Sequence, residues 1–263
     1  WSIGNEIPER GKPQGVKTAK KLSDFIKTMD STRPVTAAVN GLNPNKDPYF
    51  AQLDVAGYNY SHGGDHGMKD IFDFDHNRVP ERIMYCAESY PLEAFGAWQD
   101  VLTHSYVIGD FVWTAFDYLG EASIGWRGYP HDENFYPWNH AFCGDIDICG
   151  FKRPQSYYRN VLWNSGEQLS LFVYPSKPSF PLKENRADWS KWHWHDWVAS
   201  WNWAGYENQE IYAVVCSGYE SVELFLNGES LGAKSIHKEN YFVETWPVNY
   251  QSGELKAVAY NSD

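Results

Sequence analysis

The chain has 263 residues and a formal net charge of -12. That charge argues against a nucleic-acid partner, whose phosphates it would repel, and against an anionic membrane surface. Aromatic residues make up 17% of the chain, with 13 Trp and 18 Tyr. This fits either a surface that stacks on sugar rings or an aromatic-rich β-sandwich core, and composition does not choose between them.

The first apolar stretch, Trp1-Ser2-Ile3, reads as the end of a strand. It lacks a methionine or polar lead-in, so the chain is expected to be a fragment. A helix is predicted from Gln14 to Met29, with Val16, Ala19, Leu22, Phe25 and Ile26 on one face. The strand 34–39 follows and stops at Asn40-Gly41. Next come a strand over 53–60, helical residues from Gly67 to Asn77, a strand over 82–87, a helix from Trp98 to Ser105 and a strand over 107–114. Strands alternating with helices predict β/α units on a parallel sheet. The loop from Phe116 to about Gly150 is too rich in Trp, His and Gly for a mere connector, and Pro154 opens a closing helix to Trp163.

Beyond Gly166 the period changes. Strands are predicted over 169–173, 210–215, 222–226 and 255–260, with Asn227-Gly228 as a hairpin signal. Short strands at this spacing predict an all-β sandwich, with the domain boundary near residue 168. The Trp cluster from 189 to 203 has a spacing close to two from 192 to 203, which fits a sheet face or a docking surface better than a sugar platform. Of the four cysteines, Cys143 and Cys149 could bridge, but four free and mostly buried thiols is the favoured reading. His131 and His140 match no metal spacing, and neither a metal nor a cofactor is expected.

Two carboxylates stand out because each follows a predicted parallel strand: Glu6 after Trp1–Asn5, and Glu88 after Ile83–Ala87. In a β/α barrel the strand ends converge on one face, so residues far apart in sequence meet there. A close pair of carboxyls suits glycoside hydrolysis, one as nucleophile and one as proton donor. For any single Glu a solvated loop position is the commoner fate. Two in matching contexts, with Asn5, Tyr60 and Trp113 at strand ends, favour a site.

The run Trp1-Ser2-Ile3-Gly4-Asn5-Glu6 closely resembles the acid/base motif of glycoside hydrolase family 2, and 109–118 resembles that family's last barrel strand. Asn227-Gly228-Glu229-Ser230-Leu231-Gly232 is similar to a turn in its β-rich C-terminal modules. The resemblance implies the C-terminal half of a (β/α)8 TIM barrel over 1–168, strands four to eight, and an immunoglobulin-like β-sandwich over 169–263. It implies Glu6 as acid/base and Glu88 as nucleophile, with Asn5 on the sugar 2-hydroxyl, Tyr60 against Glu88 and Trp113 as subsite floor. Trp126 and His62 are further sugar-contact candidates. No Asn-x-Lys triplet of the glucuronidase type occurs. The expected substrate is therefore a neutral sugar, β-galactoside before β-glucoside or β-mannoside. The expected partners are the oligosaccharide itself, the N-terminal domains of a full-length enzyme and a second copy in a homo-oligomer. A non-catalytic carbohydrate-binding piece and an assembly fragment are the alternatives.

Overall fold

The computed structural model describes residues 1–64, 69–125, 139–175 and 191–261. By packing, the chain divides into two units, Trp1–Trp113 and Thr114–Asp263. That division falls earlier than the change of sequence period near residue 168, because the segment after Trp113 is tied to residues 153–159: Arg153 and Gln155 both donate to the Gly144 carbonyl, at 3.1 and 3.0 Å.

The first unit is a parallel five-stranded sheet in the order β1-β2-β3-β4-β5, so each strand lies beside its neighbour in sequence. The strands are β1 (Ser2–Asn5), β2 (Thr36–Val39), β3 (Val55–Asn59), β4 (Met84–Ser89) and β5 (Val107–Val112). Between them run α1 (Pro13–Met29), a single turn α2 (Asp47–Phe50), α3 (Ile71–Arg78) and α4 (Ala94–Thr103). Pro13 opens α1, where its missing N–H costs nothing.

Alternation along the strands sends Ala37, Val39, Ala56, Tyr58, Met84 and Cys86 to the helix side, where they pack with Ala19, Tyr49, Phe50, Ile71 and Phe72. The predicted apolar face of α1 is only partly used. Ala19 is buried, but Leu22 and Phe25 are exposed, and Ser23 is buried in their stead. The other sheet face carries Thr36, Gly57 and Tyr85. A Cβ on Gly57 would lie 2.6 Å from the Ala37 carbonyl oxygen and 2.8 Å from the Tyr85 hydroxyl, so only glycine fits beneath that ring.

A charged network fastens the helices to the sheet. Tyr58 donates its hydroxyl hydrogen to Asp75 at 2.5 Å. Arg82 donates to Asp75 at 2.6 Å and to Asp47 at 2.7 Å, and Arg78 spans the same two carboxylates. Two cations shared between two anions leave no buried charge uncompensated.

The second unit holds two antiparallel three-stranded sheets, ordered β10-β7-β6 and β11-β8-β9. Their strands are β6 (Leu169–Tyr174), β7 (Glu210–Ser217), β8 (Ser221–Leu226), β9 (Glu229–Ser235), β10 (Val243–Asn249) and β11 (Leu255–Tyr260). Ala213, Val215, Val222, Leu224, Trp246 and Val248 form a core drawn from both sheets. Asn227 and Gly228 take the left-handed conformation (φ 52° and 85°), as the predicted hairpin between β8 and β9 requires.

Helix α5 (Pro154–Leu162) packs on β6 and β7. Trp194 lies against Tyr158 of this helix, and Trp197 stacks on Phe172 at 5.9 Å, so these members of the Trp cluster are packing residues. The long loop is pinned from within. The buried Asp117 carboxylate accepts from the Phe142 N–H at 2.8 Å and from Arg153 at 2.7 Å. Cys86, Cys143, Cys149 and Cys216 are all free thiols, and only Cys149 is exposed.

Candidate active site

The site belongs wholly to the first unit and sits where its parallel strands end. Strict alternation would not assemble it. In the pairing of β1 with β2, Ser2 faces Thr36 but Asn5 faces Ala38, so β1 carries one extra residue. In the pairing of β3 with β4, Tyr58 faces Cys86 but Asn59 faces Glu88, so β4 carries one extra residue too. Cys86 points into the helix-side core, and an unbroken pleat would send Glu88 the same way. The bulge turns Glu88 over, onto the face that holds Asn59.

Asn59 is the hub of the resulting cluster. It is fully buried, and its amide nitrogen donates to the Asn5 side-chain oxygen at 3.0 Å and to Glu6 Oε1 at 2.9 Å. Its side chain also hydrogen-bonds Glu88, as do those of Tyr60 and Asn5. One amide thus reaches both carboxylates. Glu6 is held from behind by its own N–H, which donates to the Ala38 carbonyl at 2.9 Å. Tyr60 is held by an N–H bond to the Glu88 carbonyl at 2.6 Å and by stacking on Tyr90 at 4.4 Å.

Two of these residues sit in the left-handed backbone region, Glu6 at φ 46° and Tyr60 at φ 52°. Each such non-glycine residue costs roughly 1–2 kcal/mol and persists only where its surroundings over-determine it. Both stand where the chain leaves a strand and turns a polar side chain over the sheet's end.

The Glu88 carboxyl is pushed up to about 7 from its ordinary 4.5. Burial is the largest cause, and the negative charge of Glu6 adds to it. The hydrogen bonds from Tyr60, Asn59 and Asn5 act the other way, favouring the ionised form.

The remaining sequence candidates fall out differently. Trp113 directly follows β5, and its N–H donates to the Ser89 carbonyl at 2.9 Å, which places it beside the strand end that carries Glu88. His62 follows β3, but its Nδ1 pairs with Asp100 of α4 at 2.9 Å and its ring lies against Gly96. It fastens this loop to α4. Trp126, His131 and Trp189 lie outside the described residues. His140 approaches Asp117 at 3.4 Å in the pinned loop of the second unit. Asn59 escaped the sequence reading, although an Asn inside an apolar strand, a residue type that strands disfavour, was a usable signal.

With this geometry in place, comparison with known proteins is informative. A family profile described as a domain of unknown function (DUF4982) matches residues 208–263. A solved glycosyl hydrolase family 2 member from Bacteroides cellulosilyticus is 48% identical with a TM-score of 0.91, over 99% of this chain and 33% of its own. A second such structure from that species is 41% identical with a TM-score of 0.81, over 99% of this chain and 31% of its own. A β-galactosidase of Bacteroides ovatus is 26% identical over 92% of this chain and 29% of its own length. The chain therefore spans about a third of the length of the relatives it matches.

Proposed function

We propose that this chain, a member of glycoside hydrolase family 2, carries the catalytic pair of a retaining β-glycosidase. Glu88 is the nucleophile and Glu6 the acid/base. On this reading the five parallel strands are strands four to eight of a TIM barrel, and the antiparallel sheets an immunoglobulin-like module. The observation that carries the proposal is the reach of Asn59 to both carboxylates. Retention needs two carboxyls roughly 5–5.5 Å apart, whereas inversion leaves room for a water between them.

In the first step a Glu88 oxygen attacks the anomeric carbon as the bond to the leaving oxygen breaks. The Glu6 carboxylic acid gives that oxygen its proton. In the second step water attacks the anomeric carbon, Glu6 takes the water's proton, and the ester bond to Glu88 breaks. Asn5 hydrogen-bonds the sugar 2-hydroxyl, and Trp113 floors the subsite. The sugar is neutral, β-galactoside first. The absence of an Asn-x-Lys triplet and the net charge of -12 both argue against an anionic sugar.

The first step requires Glu88 as the carboxylate. Burial and the charge of Glu6 keep the Glu88 carboxyl protonated until the pH nears about 7, while Tyr60, Asn59 and Asn5 work against them. Tyr60→Phe deletes one donor to the ionised form. It is expected to move the acid limb of the kcat/KM profile upward by about one pH unit. An unmoved limb would count against this role for Tyr60.

The proposal is tested by trapping. The polypeptide that carries this sequence is incubated with 2-deoxy-2-fluoro-β-galactosyl fluoride, whose activated leaving group permits the first step while the fluorine slows the second. A mass gain of one deoxyfluorogalactosyl group on the peptide containing Glu88 is expected. Inverted product, or label on another carboxylate, would end the assignment.

A further inference from the structure

Arg10 stands four residues beyond Glu6, in the loop that leaves β1. Its three hydrogen bonds all go to backbone carbonyl oxygens. Nη1 donates to Ile7 at 2.8 Å and more weakly to Glu6 at 3.4 Å, and Nε donates to Asn40 at 2.9 Å. No ion pair joins this guanidinium to an acidic residue among the described residues. Its charge-assisted bonds are spent on the main chain.

The three carbonyls mark two strand ends. Glu6 and Ile7 lie where the chain leaves β1, and Asn40 where it leaves β2. The last bond before the turn is from the Glu6 N–H to Ala38, so the chain on the amino side of Glu6 belongs to the sheet. On its carboxyl side the backbone is left-handed and the sheet pairing has ended. There Arg10 takes over. Its rigid planar fork ties the peptide after Glu6 to the neighbouring strand's exit, and Gly41 lies close by at φ 62°. A lysine, with one compact ammonium, could not bridge the same set at the same angles.

We propose that Arg10 is a positioning residue for Glu6. The sheet bond fixes one side of Glu6, Asn59 fixes its carboxyl, and Arg10 fixes the other side of its backbone. The inference rests on the reading of Glu6 as acid/base and extends it. Displacement by a fraction of an ångström would carry the carboxyl away from the leaving oxygen while the nucleophile on β4 stays in place.

The test is leaving-group dependence, because an acid catalyst matters in proportion to the basicity of the group it protonates. Arg10→Met and Arg10→Lys are compared with the unaltered polypeptide on methyl and 2,4-dinitrophenyl β-galactosides, with Glu6→Gln alongside. Arg10→Met is expected to lower kcat/KM on the methyl glycoside about 10²-fold. On the dinitrophenyl glycoside the loss is less than about threefold, since that leaving group needs little protonation. Arg10→Lys shows the same selectivity to a smaller degree, and it carries the test if Arg10→Met does not fold.

Equal losses on both substrates, or no loss on either, would overturn the positioning role. If Glu6→Gln is selective and the Arg10 variants are not, the role of Arg10 alone fails. If Glu6→Gln itself shows no selectivity, the assignment of Glu6 fails with it.

Discussion

Replacing Glu88 with glutamine is expected to lower kcat/KM by about 10⁴-fold or more, while making the folded protein harder to melt above neutral pH. The first effect follows from losing the atom proposed to form the covalent intermediate. The second follows from linkage. In the fold the Glu88 carboxyl titrates at about 7 instead of 4.5, so the folded state holds this proton more tightly than the unfolded state does. The stability gained from that proton is full below about pH 4.5 and is lost as the pH rises through about 7. Above that pH the native protein carries a desolvated carboxylate beside a like charge, and glutamine does not.

Solvent screening limits the gain to about 1–2 kcal/mol, or a few degrees in melting temperature. Thermal melts of both forms at pH 5 and pH 8 check it. A difference that does not grow between these pH values, or a variant that melts lower at pH 8, would contradict the account. A site that lowers stability for the sake of chemistry is a familiar trade-off.

Glu6→Gln is expected to separate substrates by their leaving groups. On an alkyl galactoside the missing proton donor costs about 10²–10⁴-fold in kcat/KM. On a dinitrophenyl galactoside the first step is nearly untouched, while release of the sugar from Glu88 slows because no base activates water. Azide needs no such base, so adding it is expected to restore turnover and give a β-galactosyl azide. Glutamine keeps an oxygen for the Asn59 amide, which makes the change local. A uniform loss on both substrates, without azide rescue, would show that Glu6 is structural.

The parts of the fold that were legible in the sequence are those with a clear period. The five parallel strands and α1 stood out because apolar residues recur at sheet and helix spacing. Strand β9 was missed because Glu229–Ser235 is almost wholly exposed and has no apolar alternation. Only its hairpin with β8 makes it a strand. Strand β10 was missed because Pro247 reads as a breaker, but β10 lies at a sheet edge, where a missing N–H is tolerated.

In the proposed site, Glu6 and Glu88 stood out in the sequence by their places at strand ends and by family resemblance. Asn59 and Arg10 were not, because their roles depend on contacts with the neighbouring strand. His62 looked like a loop residue open to sugar, and its partner proved to be Asp100 on a distant helix. Short-range pattern carries no information about such pairings.

The extra residue in β4 makes the site depend on a count as well as on chemistry. Between Cys86 and Glu88 stands only Ala87, an unremarkable side chain that no catalytic argument would single out. Were the strand to keep Ala87 but lose the bulge, every letter of the catalytic vocabulary would survive while the sentence lost its sense. Glu88 would inherit the orientation of a core residue, among aliphatic groups that offer no proton and no sugar. Related sequences that preserve the glutamates would therefore be catalytically unlike wherever this stretch runs as a regular pleat, and an aligner that scores only identities would not notice.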